Sequence, residues 1–163
     1  METLKSYIDN IEKIKSCFVA EKNNIEVLAM SNLKVLLRER IFKFSQGTNK
    51  QYFGQYRSES YIKKRKASEG GLQVQIKDLQ FSKDFANDLS FGVDGKKNVI
   101  GFTTDRSEKI AIGQETGSKT KSGKDVKQIN FPIFAPQDEE VDVIFDEYLK
   151  PYWDDVLKKC FSV

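Results

Sequence analysis

Residues 89–104 read "LSFGVDGKKNVIGFTT", and they decide the fold class. Phe91 and Val93 alternate with small or polar residues. "DGKKN" at 94–98 supplies turn residues, and Val99, Ile100 and Phe102 return on the far side. An apolar period of two flanking a Gly-containing turn predicts a β-hairpin. The strongest periodicity elsewhere is helical, so this stretch makes the chain α+β rather than all-α. Just upstream, Leu72, Val74 and Ile76 alternate with polar residues, which predicts a short extended segment. "LQFSKDFANDL" has helical spacing at Leu79, Phe85 and Leu89. Downstream, 105–116 suits a helix capped by Asp105, with Glu108 three residues on as a capping box.

Further out, Leu4, Ile8, Ile11, Ile14 and Phe18 form the apolar stripe of a first helix. "EKNN" at 21–24 weakens it, and Asn23 or Asn24 is placed to cap a second helix lined by Leu33, Leu37, Ile41 and Phe44. The two are read as an αα-hairpin or one kinked helix, stopped by Gly47. Residues 45–71 lack strong periodicity. They read as an extended arm carrying a short helix at "SESYIKKRKAS", with Ser58 as its cap and Tyr61 and Ile62 facing inward. "TGSKTKSGKDVKQ" at 116–128 reads as an exposed loop. "INFPIF" follows as a short strand at an edge, because Pro132 cannot donate to a central ladder. A final helix begins near Pro136, with acids at its start and Lys158 and Lys159 at its end, as the helix dipole favours. Pro151 is expected to kink it after Lys150. The expected architecture is one domain over 1–163: N-terminal helices to 44, the 45–71 arm, a small mainly antiparallel sheet with short helices over 72–135, and a C-terminal helix from 136, the long helices packing on the sheet.

Composition narrows the chemistry. With 163 residues and 39% hydrophobic content the chain can bury a core without staples. No apolar run approaches the roughly 20 residues that span a bilayer, and the mixed-charge N-terminus is not that of a secretory signal. There are 27 basic and 24 acidic residues, for a net charge of +3, so any basic surface must be local. Cys17 and Cys160 lie at opposite ends among apolar helical residues and read as buried free thiols of a reducing compartment. The absence of histidine removes the commonest general base and zinc ligand. "DEEVD" at 138–142 clusters carboxylates that could hold a hard cation, but acids at a helix N-terminus are explained by the dipole alone. No enzyme activity, cofactor, metal or small-molecule substrate is expected.

The stretch "RIFKFSQGTNKQYFGQYRSESYIKKRK" at 40–66 interleaves aromatic and basic side chains. Tyr52, Phe53, Tyr56 and Tyr61 could stack on bases while Arg57, Lys63, Lys64, Arg65 and Lys66 meet phosphates, as in a nucleic-acid-binding accessory protein. The alternative is an interaction arm in which the same nine residues make assembly contacts, with Tyr52, Tyr56 and the 63–66 run serving assembly more than folding.

The order of several motifs supports the second reading. Arg40, Ile41, Phe42, Gly47, Gly54, Tyr56, Ser60, Tyr61 and Arg65 form a pattern that resembles the phage tail-completion and neck proteins, the virion morphogenesis or head–tail joining group. "DLQFSKDFANDLSFGVDGKKNVIGF", "KIAIGQETG" at 109–117 and "FPIFAPQDEE" resemble later passages of that family, so the likeness covers about residues 36–145. It implies a structural virion protein of the neck or tail, assembled in the host cytoplasm. It also implies a homo-oligomeric ring with other neck and tail proteins as partners, and DNA passing without sequence-specific contact. The basic 57–66 segment would then meet an acidic patch such as 138–147 on the next subunit.

Overall fold

The computed structural model describes residues 4–56, 58–68, 74–79, 84–94, 97–116, 118–119, 125–126, 129 and 132–162. The fold is α+β, with long N- and C-terminal helices and a small antiparallel hairpin. Where length suggests one domain, the chain forms two compact units. A terminal unit takes Met1–Leu33 and Asp138–Val163, and a central unit takes Lys34–Gln137.

Helix α1 runs from Leu4 to Arg38 without a break. The "EKNN" stretch does not interrupt it, because Glu21 and Asn24 are used from within the helix: the Asn24 amide donates to the Glu21 carboxylate at 2.9 Å. A π-helical turn, Glu39–Lys43, follows. The stop is Ser45 rather than Gly47, since Ser45 takes the left-handed φ of 58° that ends the helix.

In the central unit, α2 (Glu59–Ala67) begins where expected, its Tyr61 amide donating to the Ser58 hydroxyl. Helix α3 is a short piece, Asp84–Asp88. Residues 80–83 and Leu72 lie outside the described residues, and Val74 and Ile76 belong to no strand. The hairpin pairs β1 (Leu89–Asp94) with β2 (Lys97–Phe102), in register Leu89↔Phe102 and Phe91↔Ile100. Helix α4 (Asp105–Thr116) is capped one residue earlier than the sequence suggests. The Thr104 hydroxyl accepts the Ser107 amide at 3.3 Å, and Asp88 anchors Thr104 in turn. Hydrogen bonds from Thr103 first, then Thr104 and Ser107, hold the Asp88 carboxyl well below its usual range. Within the expected 116–128 loop, β3 (Ser118–Lys119) pairs antiparallel with β4 (Asp125–Val126), while 120–124 and 127–128 lie outside the described residues.

The core of this unit is an aromatic cluster. The Phe85 ring stacks on Phe102 at 4.6 Å and meets Phe42 and Phe134 edge-on at 5.7 and 6.2 Å. Leu37, Ile41, Leu89 and Ile133 are buried. Ile133 belongs to no strand, because Glu115 takes the place of a neighbouring strand: its carboxylate accepts the amides of Ile133 (2.6 Å) and Phe134 (3.1 Å).

In the terminal unit, α5 (Asp138–Val143) passes into a π-helical segment, Ile144–Leu149, and then into α6 (Lys150–Phe161). Pro151 sits in the first turn of α6. A proline lacks the amide for the i→i−4 bond and its ring crowds that carbonyl. The π-helical segment lies directly before it, where a wider turn accommodates the missing bond and the ring.

Cys17 and Cys160 are not free thiols. They are joined in a disulfide, with Cα atoms 5.7 Å apart, that ties α6 to α1 across 143 residues. Beside it, Glu21 accepts hydrogen bonds from Lys159 and from the Tyr152 hydroxyl (2.6 Å). Phe18 meets Trp153 and Phe161 edge-on. The bond from Lys159, then those from Tyr152 and Asn24, push the Glu21 carboxyl down from 4.5 to about 2. A depressed carboxyl adds stability above its unfolded value and loses it as pH falls through the folded one. The thermal midpoint of the native protein is therefore expected to fall between pH 4.5 and pH 2 more steeply than that of Glu21→Gln. Parallel pH profiles for the two proteins would refute this.

Candidate interaction face

Helix α2 carries a basic run whose side chains separate by helical geometry. Tyr61 and Arg65 are one turn apart and share the inward face. Lys63, Lys64 and Lys66 point to solvent. Arg65 is completely buried. Its guanidinium Nη2 donates to both carboxylate oxygens of Asp78, at 2.9 and 2.8 Å. It also lies over the Tyr56 ring at 4.6 Å and the Tyr61 ring at 5.9 Å. The Tyr56 hydroxyl donates to the same carboxylate at 2.9 Å and accepts the Asp78 amide at 3.2 Å. Burial, then the charge on Asp78, raise the Tyr56 phenol above its ordinary range, so it stays a neutral donor.

This cluster fixes the path of the arm. Gly54 adopts φ 79° and its carbonyl accepts the Lys77 amide at 2.8 Å, bringing the segment that carries Asp78 alongside. At that left-handed angle a side chain would be strained. Further back, Gln46 and Tyr52 form an isolated antiparallel bridge, and the Phe53 amide donates to Ser45. The tight turn between them is held by Thr48, whose amide and hydroxyl donate to the carbonyls of Pro132 and Ala135. Arg40 is buried beneath, donating to the carbonyls of Ile133 (2.9 Å) and Ala135 (2.8 Å).

The nine residues expected to serve assembly therefore divide. Phe53 and Arg65 are buried, and Tyr56 and Tyr61 are half-buried around Arg65. For Tyr56 and Arg65 the expectation of a role outside folding is corrected: an arginine withdrawn from water needs its carboxylate, and the pair belongs to the interior of the unit. Tyr52, 62% exposed, Lys63, Lys64 and Lys66 remain at the surface. Arg57 lies outside the described residues. Sequence reading missed Asp78, the acid that organises the cluster. The signal for Arg65 was present, since it lies four residues after an inward tyrosine, but nothing local marked its partner.

Comparison with family models, with curated proteins and with solved structures found no match for the chain. Among the described residues no group of three His, Cys, Asp or Glu side chains is placed to hold a metal ion, and no helix is long and apolar enough to cross a membrane. The 138–147 stretch presents Asp138, Glu139, Asp142, Asp146 and Glu147 to solvent, whereas Glu140 is buried. One chain thus exposes a lysine face on α2 and an acidic face at the start of its last helical segment.

Proposed function

We propose that the protein is a structural subunit of a phage neck or tail, of the tail-completion or head–tail joining kind, acting as a homo-oligomeric ring without catalytic chemistry. The observation that carries this reading is the division of labour in α2. Arg65 anchors the helix inside the unit, and Lys63, Lys64 and Lys66 stay at the surface on a rigid support. A contact that must repeat from copy to copy benefits from such preorganisation, because little is lost on ordering. The acidic face over 138–147 is its electrostatic complement. Joining one copy's lysines to the next copy's acids is a heterologous contact, which closes into a ring when the rotation allows. The motif order described above supports the placement in a virion neck or tail.

The nucleic-acid reading loses part of its basis, because Tyr56 and Tyr61 hold Arg65 and do not form an open stacking platform. Lys63→Glu with Lys64→Glu and Lys66→Glu is expected to leave the melting temperature within a few degrees of wild type. Native mass spectrometry is expected to find a homo-oligomer for wild type and none for the triple variant, which should also fail to join heads to tails in an assembly mixture. Salt should weaken the wild-type contact. Unchanged oligomerisation would sink the proposal, and normal assembly with lost affinity for DNA would assign the lysines to nucleic acid.

A further inference from the structure

The two ends of the Cys17–Cys160 disulfide differ in access. Cys160 is completely buried in α6, whereas Cys17 on α1 is only half-buried. Exchange requires a thiolate to approach one sulfur along the S–S axis, so access selects which sulfur is attacked. Lys13, exposed and one turn before Cys17 on the same side of α1, adds positive charge to that approach. We propose that Cys17 is a thiol-exchange site for a small anionic thiol of the glutathione class, and that its modification opens a clip between α1 and α6.

In the first step the incoming thiolate bonds to the Cys17 sulfur and the bond to Cys160 breaks. Cys160 leaves as a thiolate and takes a proton from water. A second thiolate then attacks the sulfur of the bound small thiol. This frees Cys17 and releases the small-molecule disulfide, so two electrons have passed from two thiols to the protein. The small-molecule disulfide drives the reverse.

The consequence follows from what else holds α6. Its other ties to α1 are the bonds of Tyr152 and Lys159 to Glu21 and the edge contacts of Trp153 and Phe161 with Phe18. Leu157 and Phe161 are exposed, and apart from Cys160 the buried residue of α6 is Val156. Opening the bond leaves α6 held by the polar cluster, the ring edges and the burial of Val156. This inference rests on the terminal unit alone and is independent of the neck reading.

The test uses the full-length oxidised protein. It is treated with reduced glutathione, quenched in acid, alkylated with N-ethylmaleimide and mapped by peptide mass spectrometry. Glutathione is expected on the Cys17 peptide and maleimide on the Cys160 peptide. Amides of 152–161 should exchange with deuterium roughly tenfold faster after reduction, those of the 89–102 hairpin should not change, and oxidised glutathione should restore protection. Glutathione on the Cys160 peptide, equal partition between the two, no mixed disulfide, or equal exchange of 152–161 in both redox states would each overturn the proposal.

Discussion

Replacing Arg65 with alanine is expected to destabilise the central unit by about 4 kcal/mol, far more than any change at the lysines beside it. Removing one partner of a buried ion pair leaves the other charge uncompensated, and such losses run to about 3–5 kcal/mol. Here Asp78 would keep the Tyr56 hydroxyl but lose both hydrogen bonds from the Arg65 Nη2. The Tyr56 and Tyr61 rings, which meet at 5.1 Å, would lose the cation that packs against both. Asp78→Asn is expected to fall in the same range, because the arginine stays buried without its counter-charge. Tyr56→Phe removes one hydrogen bond to a charged group and should cost about 2 kcal/mol. Lys66→Ala, one residue along and solvent-facing, should stay within about 0.5 kcal/mol of wild type. Urea unfolding followed through hydrogen exchange in the 89–102 hairpin reads these differences. A loss below about 1 kcal/mol for Arg65→Ala would place the pair at a solvated surface and refute the anchoring role.

The second large effect is expected from Cys17→Ser with Cys160→Ser. In the chain-entropy picture a cross-link restricts the unfolded chain, and closing a loop of about 100 residues stabilises by nearly 5 kcal/mol. Measured losses on removing a native bond are about 2–5 kcal/mol. With the cysteines 143 positions apart, the double serine variant should unfold its terminal unit about 3 kcal/mol more easily. The double change avoids leaving a reactive thiol. Wild type kept in reductant should match the variant, whereas oxidised wild type should not. Coincident unfolding of oxidised wild type and variant would show that the bond contributes nothing to stability.

The contrast between the two cases shows how far the sequence could be read. The hairpin was legible because its period-two pattern and its turn lie within sixteen consecutive residues, although pairing reaches Asp94 and Lys97, inside the 94–98 stretch read as the turn. The Ser58 cap and the extent of α4 were legible for the same reason, since capping is decided within four residues. The helix stop at Ser45 and the cap at Thr104 missed by one or two residues. Both choices depend on groups outside the local window: Ser45 also receives the Phe53 amide, and Asp88 positions Thr104. "EKNN" looked like a break because polar residues are assumed to face water. Glu21 instead points at Tyr152 and Lys159, more than 130 residues away.

The α+β class, the presence of the hairpin over 89–102 and the Ser58 cap of α2 were legible locally, whereas Ile8, Ile11 and Phe44 of the expected apolar stripes lie exposed. The legible features follow from periodicity and from hydrogen bonds closed within a turn. Helical spacing from Tyr61 hinted at an inward Arg65, but its pairing with Asp78 and the meeting of Cys17 with Cys160 come from tertiary contacts. The four basic side chains at 63–66 look alike in charge. They are separated by whether a carboxylate and two aromatic rings converge on one of them, and that convergence brings together segments whose spacing no local pattern encodes.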